Sequence, residues 1–429
     1  MTPFNPKTAT ARGIAAAVRS GSLAPETVAE AYLDRIAAVE PSLHAFAWLD
    51  PAHVRAEAAT RCGGLLAGVP IGIKDVLDTG DMPTEYGSRA YPGVRPARDA
   101  GAVHIVRQAG AFAIGKTVTT EFATAAPGAT VNPFDNARTP GGSSSGSAAG
   151  LGAALFPLAF GTQTSGSTVR PASFCGVVGY KASPHLIDRT GVKPLSETLD
   201  VVGLMARDTR DCALLAATAM RRPELVPTEE AIDLPAIGLF APDEADAPSA
   251  QSLAVLDRVA GLVARPGARP IPAWWDGLGA AQSDVFAWEA SACLGPERDL
   301  HWDLLHPATH AFLGRHDGIT RDHWLAGIAA RDAALRDLDA LFGDCDMLIT
   351  QSAPGEAPLG LGSTGQAAYN IRWTLLGTPS LSIPAGLGPN GMPIGIQLVA
   401  RPGEDARLLA AAAAVEDALR GAGLVARPE

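Results

Sequence analysis

Two glycine–serine clusters joined by one apolar stretch constrain the fold of this chain more than any other feature. The first cluster is Gly141-Gly142-Ser143-Ser144-Ser145-Gly146-Ser147, and the second is Gly161-Thr162-Gln163-Thr164-Ser165-Gly166-Ser167. Residues 148–160 between them are apolar and long enough for a helix followed by a short strand. Small residues around hydroxyls let backbone N–H groups approach a ligand closely. A flexible Gly/Ser linker would not run on both sides into core-forming sequence such as AAGLGAALFPLAF and PASFCGVVGY. The clusters therefore read as shaped loops facing one another across a cleft, a plausible frame for a nucleophile and an oxyanion hole.

The 429 residues are enough for up to three domains. No low-complexity linker divides them, so the expectation is one domain over 1–429. Within it, 1–60 forms an N-terminal helical layer and 65–220 the core carrying the chemistry. Residues 221–345 form a variable helical region, and 346–429 complete the sheet. Alternating strand-like and helix-like segments predict an α/β fold with a mixed central sheet covered by helices on both faces. A hydrophobic fraction of 47% against 18% charged residues excludes disorder. A net charge of −11 disfavours a nucleic-acid partner. No apolar run approaches the ~20 residues of a membrane helix. The N-terminus lacks the apolar core of a secretory signal. The five cysteines are scattered, odd in number and match no metal spacing. They read as reduced, mostly buried thiols of a cytoplasmic protein with no cofactor and no metal.

Along the chain, apolar residues at helical spacing between 8 and 59 predict helices, with Pro41 ending one of them. The run GVPIGIKDV at 68–76 is β-like and carries Lys74 among Ile71, Ile73, Val76 and Leu77. A desolvated lysine loses proton affinity and acts as a base. Moving it from ~10.4 to near neutrality costs about 4 kcal/mol, which a protein retains where it serves a site. Residues 110–117 spell a phosphate-loop pattern, GAFAIGKT. Its strand-like residues lie between the glycines, and the segment before it is helical, so nucleotide binding is set aside. Residues 221–345 read as proline-punctuated, then helical from about 283 to 342. Trp274, Trp275, Trp288, Trp302 and Trp324 fall in this region as core or as pocket wall. Further strands are expected at 346–350, 380–385 and 394–399, and helices at 367–376 and 405–420.

A Ser-His-Asp triad needs a histidine, yet none lies in 139–181, and the nearest, His185, sits beside Pro184 in a polar turn. Residues 142–146 match the letters of a nucleophile elbow without a clear strand before them. A serine activated by a lysine is the alternative that the residues allow.

Six ordered segments then carry a resemblance. They are 68–75 (GVPIGIKD), 110–122 (GAFAIGKTVTTEF), 140–149 (PGGSSSGSAA), 161–176 (GTQTSGSTVRPASFCG), 377–385 (GTPSLSIPA) and 391–398 (GMPIGIQL). Across nearly the whole chain the sequence resembles the amidase signature family. The resemblance implies one α/β domain and a Ser-Ser-Lys triad: Ser167 as nucleophile, Ser143 as bridging serine 24 positions earlier, and Lys74 as base. It implies a cis Gly142–Ser143 bond, an oxyanion hole from the N–H groups of Thr164, Ser165, Gly166 and Ser167, and support from Ser144. The implied activity is hydrolysis of a linear amide through an acyl-enzyme, in a homodimer. Two departures stand out. Ser165 occupies a position commonly held by glycine, so the oxyanion loop differs or the side chain enters the pocket. Arg170 directly precedes Pro171, one residue later than in many members. This shift, with GTQT and the serine cluster, is similar to bacterial malonamidase and implies that Arg170 binds the carboxylate of a malonamate-like substrate. A structural salt bridge of Arg170 is the alternative. Three other activities stay open: a broad aliphatic or aromatic amidase, one component of a multi-chain glutamine-dependent tRNA amidotransferase, and a binding protein on an inactive amidase fold.

Overall fold

The segments β1 (Phe46–Trp48), β2 (Pro70–Lys74), β3 (Phe112–Thr117), β4 (Leu158–Gln163), β5 (Val178–Lys181), β6 (Val201–Ala206), β7 (Ile237–Leu239), β8 (Met347–Gln351), β9 (Ser380–Leu387) and β10 (Pro393–Ala400) pair into one ten-stranded sheet. The structure is a computed structural model that describes residues 4–226, 233–242, 249–315 and 317–424. Residues 1–3, 227–232, 243–248, 316 and 425–429 of the expected 1–429 domain lie outside that description. The strand order is β1-β3-β2-β4-β6-β5-β9-β10-β8-β7. β3, β2 and β4 run parallel, and the pairs from β4 through β6, β5, β9 and β10 to β8 are antiparallel. The expected mixed sheet is thus present, and its strands are buried on both faces, which explains their continuous apolar runs.

Helices cover it. Ser145–Gly152 packs against β2 and β4, and beside it Val169–Phe174 packs against β5, β9 and β10. Thr209–Ala219, Ala250–Val263 and Asp405–Gly421 form another layer against β6, β8, β9 and β10. The N-terminal region holds the helices Ala11–Arg19, Pro25–Leu43 and Pro51–Ala58, but it also supplies β1, which pairs antiparallel with β3. Pro41 does not end its helix. The helix runs to Leu43, and His44 stops it by turning left-handed at φ 55°. A proline in a last turn costs one backbone bond and leaves the rest of the helix intact.

The variable region differs most from expectation. Its helices start at Gly277, not 283, and break into Gly277–Cys293, Gly295–Leu300, Pro307–Gly314 and Arg321–Phe342, while Ala250–Val263 and β7 precede them. The tryptophans separate by role. Trp275 is core, 4.8 Å from the ring of Phe240 and 4.7 Å from that of Trp373. Trp288 and Trp302 are exposed. Cys175, Cys212 and Cys345 are buried, Cys293 is half-buried and Cys62 is exposed; all five are free thiols.

Gly146 fixes how the first cluster sits on the sheet. A Cβ there would meet Ala45 O at 2.2 Å and Val118 N at 2.4 Å, both backbone atoms that cannot rotate away. Gly146→Ala is expected to destabilise the fold by about 1–3 kcal/mol through overpacking. A lowered urea midpoint with an unchanged slope would show it.

Candidate active site

Lys74 ends β2 and Thr162 lies near the end of the adjacent parallel strand β4, so the sheet itself brings the two side chains together. Lys74 is fully buried. Its Nζ lies 2.6 Å from Thr162 Oγ1 and 2.7 Å from Ser143 Oγ. Burial pushes its pKa down to about 7, while the charge of Asp200 pulls the other way. The Gly142–Ser143 peptide bond is cis.

The serine cluster is bonded to the sheet residue by residue. Ser143 O accepts from Thr120 N at 3.2 Å. Ser144 Oγ accepts from Thr162 N at 3.2 Å and donates to Thr162 O at 3.3 Å, bridging the two clusters. Ser147 Oγ donates to Phe160 O at 2.7 Å. Ser144 N donates to Ser167 O at 3.3 Å, which brings the backbone of Ser167 beside that of Ser144. Among the described residues, the Ser167 hydroxyl has no hydrogen-bond partner, so no bond joins it to Ser143 in this structure.

The loop from Thr164 to Ser167 connects β4 to the helix Val169–Phe174. Gln163 Oε1 accepts from Thr168 N at 2.9 Å and Val169 N at 3.1 Å, meeting orphan donors at the helix start. Thr164 Oγ1 donates to Asp200 Oδ1 at 2.6 Å. The half-buried Asp200 carboxylate also accepts from Leu195 N and Ser196 N, and its desolvation raises its pKa. Among the described residues, the backbone N–H groups of Ser165, Gly166 and Ser167 make no hydrogen bond. The Ser165 side chain is engaged by Gln282 Nε2 at 3.1 Å. A cavity of about 160 Å³ opens beside Thr162 and Thr164, with Ala123, Lys193, Leu195 and Asp200 in its wall.

Arg170 is 6% exposed. It donates to Gly365 O at 2.6 Å, Gly142 O at 2.5 Å and Thr364 Oγ1 at 3.1 Å, and its Nε is buried without a partner. Burial lowers its pKa to about 10, which leaves it cationic at neutral pH. Among the described residues it forms no ion pair, in contrast to the salt bridge weighed for it from the sequence.

Burial alone does not single out Lys74, since Lys116 and Lys181 are as deeply buried, with pKa values lowered to about 8 and about 7. Contact with Ser143 does. Lys116, from the phosphate-loop lookalike, donates to Leu77 O and Thr84 Oγ1 and pairs with Asp75 at 3.4 Å. Its glycine Gly115 lies inside β3. The only set of histidine and acid groups among the described residues that could gather on a metal ion is His53, Glu57 and Asp81. Arg107 already bridges these carboxylates, 3.0 Å from Glu57 and 2.9 Å from Asp81.

Sequence reasoning missed Thr162, Gln163, Asp200, Gln282 and Thr374. Thr162 left a trace as a hydroxyl within GTQT. Gln163 lies in the same motif, but its contact with Thr374 spans 211 residues, and Asp200, Gln282 and Thr374 each reach the site across more than 30 residues of chain, with no local signal.

The amidase family model matches residues 27–257 and 302–409. The A component of the Glutamyl-tRNA(Gln) amidotransferase of Thermus thermophilus is 32% identical, covering 97% of this chain and 98% of that protein. The structure resembles a crystal structure of an amidase, with a TM-score of 0.86 and 27% identity over 95% of this chain and 99% of that one. It also resembles the peptide amidase of Stenotrophomonas maltophilia, with a TM-score of 0.79 and 26% identity over 96% and 97% of the two chains. With its family model matched over most of its length, the chain belongs to the amidase signature family, whose members are hydrolases of carbon–nitrogen amide bonds.

Proposed function

We propose that the protein hydrolyses a small carboxylic amide bearing a free carboxylate, malonamate-like, with Ser167 as nucleophile, Ser143 as bridge and Lys74 as base. The observation that carries this is the 2.7 Å contact of Ser143 with a lysine whose pKa is lowered to about 7. A neutral amine donates one proton to Thr162 and keeps its lone pair for the Ser143 proton. Ser143 in turn takes the proton of Ser167, whose Oγ bonds to the amide carbon while the carbonyl electron pair moves onto oxygen. Hydrogen bonds in unliganded sites commonly tighten only when substrate arrives. The oxyanion faces the N–H groups of the loop from Thr164 to Ser167, and those of Ser165, Gly166 and Ser167 are unpaired among the described residues. Collapse expels the amine, ammonia for a primary amide, which recovers the proton through Ser143. Water then cleaves the acyl-enzyme by the same relay, releasing the acid and restoring Ser167. Ser144 holds the two clusters in register.

The acid group of the substrate rests on Arg170, a buried cation with no carboxylate partner among the described residues and an unused Nε–H. A cation in that state favours an incoming anion. The same proposal has the enzyme act in the cytoplasm as a homodimer, on the ground of the family resemblance. A second reading, one component of a multi-chain tRNA amidotransferase, is favoured by the near-full-length relatives so named. Ammonia release from malonamate by the chain purified alone would argue against it, and activity only with partner chains would establish it. A broad amidase would turn over benzamide as well as malonamate.

Lys74 must be neutral to act. kcat/KM is therefore expected to fall tenfold per pH unit below about 7 and to level off above it. A lysine left at its ordinary value would place the half-maximum near ~10.4, and that profile would remove Lys74 as the base. Ser167→Ala and Lys74→Ala should each lower kcat by about 10⁴–10⁶-fold. Arg170→Ala should raise KM for malonamate by about 10–100-fold, the worth of a charged hydrogen bond, and affect benzamide far less. Equal losses on both amides would sink the carboxylate clamp.

A further inference from the structure

The loop from Thr164 to Ser167 is held from behind, through its carbonyls. Thr164 O receives Gln282 Nε2 at 3.5 Å, the long limit of a hydrogen bond, with the same nitrogen 3.1 Å from Ser165 Oγ. Ser165 O receives Thr374 Oγ1 at 2.7 Å. Gly166 O receives Arg170 N at 3.0 Å. Three successive carbonyls thus each have a donor. A peptide unit is planar and trans, so its N–H points opposite to its C=O. Holding the carbonyls of Thr164, Ser165 and Gly166 on one side aims the N–H groups of Ser165, Gly166 and Ser167 to the other side.

The donors are themselves fixed. Thr374 has a single hydroxyl proton. Gln163 Nε2 donates to that oxygen at 3.0 Å, which leaves the proton free to be directed at Ser165 O. Gln282 is 4% exposed on the helix Gly277–Cys293, in the variable region, and the Ser165 hydroxyl gives its amide a second anchor. A glycine at 165 would offer no such anchor. Gly166 must stay small, since a Cβ there would lie 2.4 Å from Asn370 Oδ1.

We propose that Gln282, with Ser165, and Thr374 are positioning residues that orient the N–H groups of this loop toward the substrate oxyanion from its carbonyl side. The proposal rests on the loop being the oxyanion hole of the function given above. Ser165 is then part of the loop's support, with its side chain engaged away from the reacting carbonyl.

The test uses the full chain with Gln282→Met, Ser165→Ala, Thr374→Val and the conservative Thr374→Ser. Steady-state kinetics on malonamate is combined with inhibition by a reversible boronate of the same acyl group, and wild-type Ser167 is first labelled with a fluorophosphonate. The expected result is a fall in kcat of about 10–100-fold in Gln282→Met and Thr374→Val, the scale of a misplaced reacting geometry. KM should stay within about twofold, boronate affinity should fall in step with kcat, and Thr374→Ser should regain most of the loss. Ser165→Ala should add little to Gln282→Met, because the two act as one anchor. Should Thr374→Val fail to fold, the Gln282 and Ser165 variants decide alone. Unchanged kcat in folded variants, or KM rising as much as kcat falls with boronate affinity untouched, would overturn the positioning role while the amidase reading stands. Wild-type protein that fluorophosphonate does not label at Ser167 would overturn that reading, and this proposal with it.

Discussion

An amine with no water around it, at the end of a central strand, is the constraint to which the rest of this molecule answers. Lys74 lies where β2 ends between β3 and β4, and the sheet excludes solvent there from both faces. Desolvation disfavours its charged form. The acceptors within reach are hydroxyls, and the acid that influences it, Asp200, is half-buried and turned toward Thr164 and two backbone amides. A carboxylate in direct contact would have kept the amine protonated. Two hydroxyls instead set its orientation, while burial lowers its pKa to about 7 and lets it titrate near neutrality.

The composition of the two glycine–serine clusters follows from the same constraint. Their backbones hydrogen-bond to each other, and at the glycines between them even a Cβ would collide. A Cβ on Gly161 would lie 2.8 Å from Ser144 Oγ, and with the contacts at Gly146 this shows how little room is left. What resembled a linker by composition is among the most deeply buried parts of the chain.

How much of this was legible in the sequence follows from the range of the forces involved. Strands β2, β3, β4, β8, β9 and β10 were visible because strands buried on both faces are written as apolar runs, whereas β6 was not singled out from the short elements around it. Lys74 was visible because its neighbours are apolar, yet the same logic could not separate it from Lys116 and Lys181, whose settings depend on distant residues. Between 277 and 342 the helices break at Gly295-Pro296 and restart at Pro307, local punctuation that the reading of one helical stretch passed over. The family resemblance named Ser143, Ser167 and Arg170. It did not give the partners of Arg170, which are backbone carbonyls and a threonine where an acid was weighed.

The separation of these partners along the chain has a consequence for synthesis. Arg170 reaches Gly365 across 195 residues, and Gln163 reaches Thr374 across 211. β5 finds its neighbour in β9, which ends at Leu387. The loop from Thr164 to Ser167 therefore lacks its backing until Thr374 has been synthesised. Contacts of such long range form slowly and leave incomplete chains with open apolar surface. A chain still short of β9 carries this loop without its support, so the loop and the sheet reach their final form together.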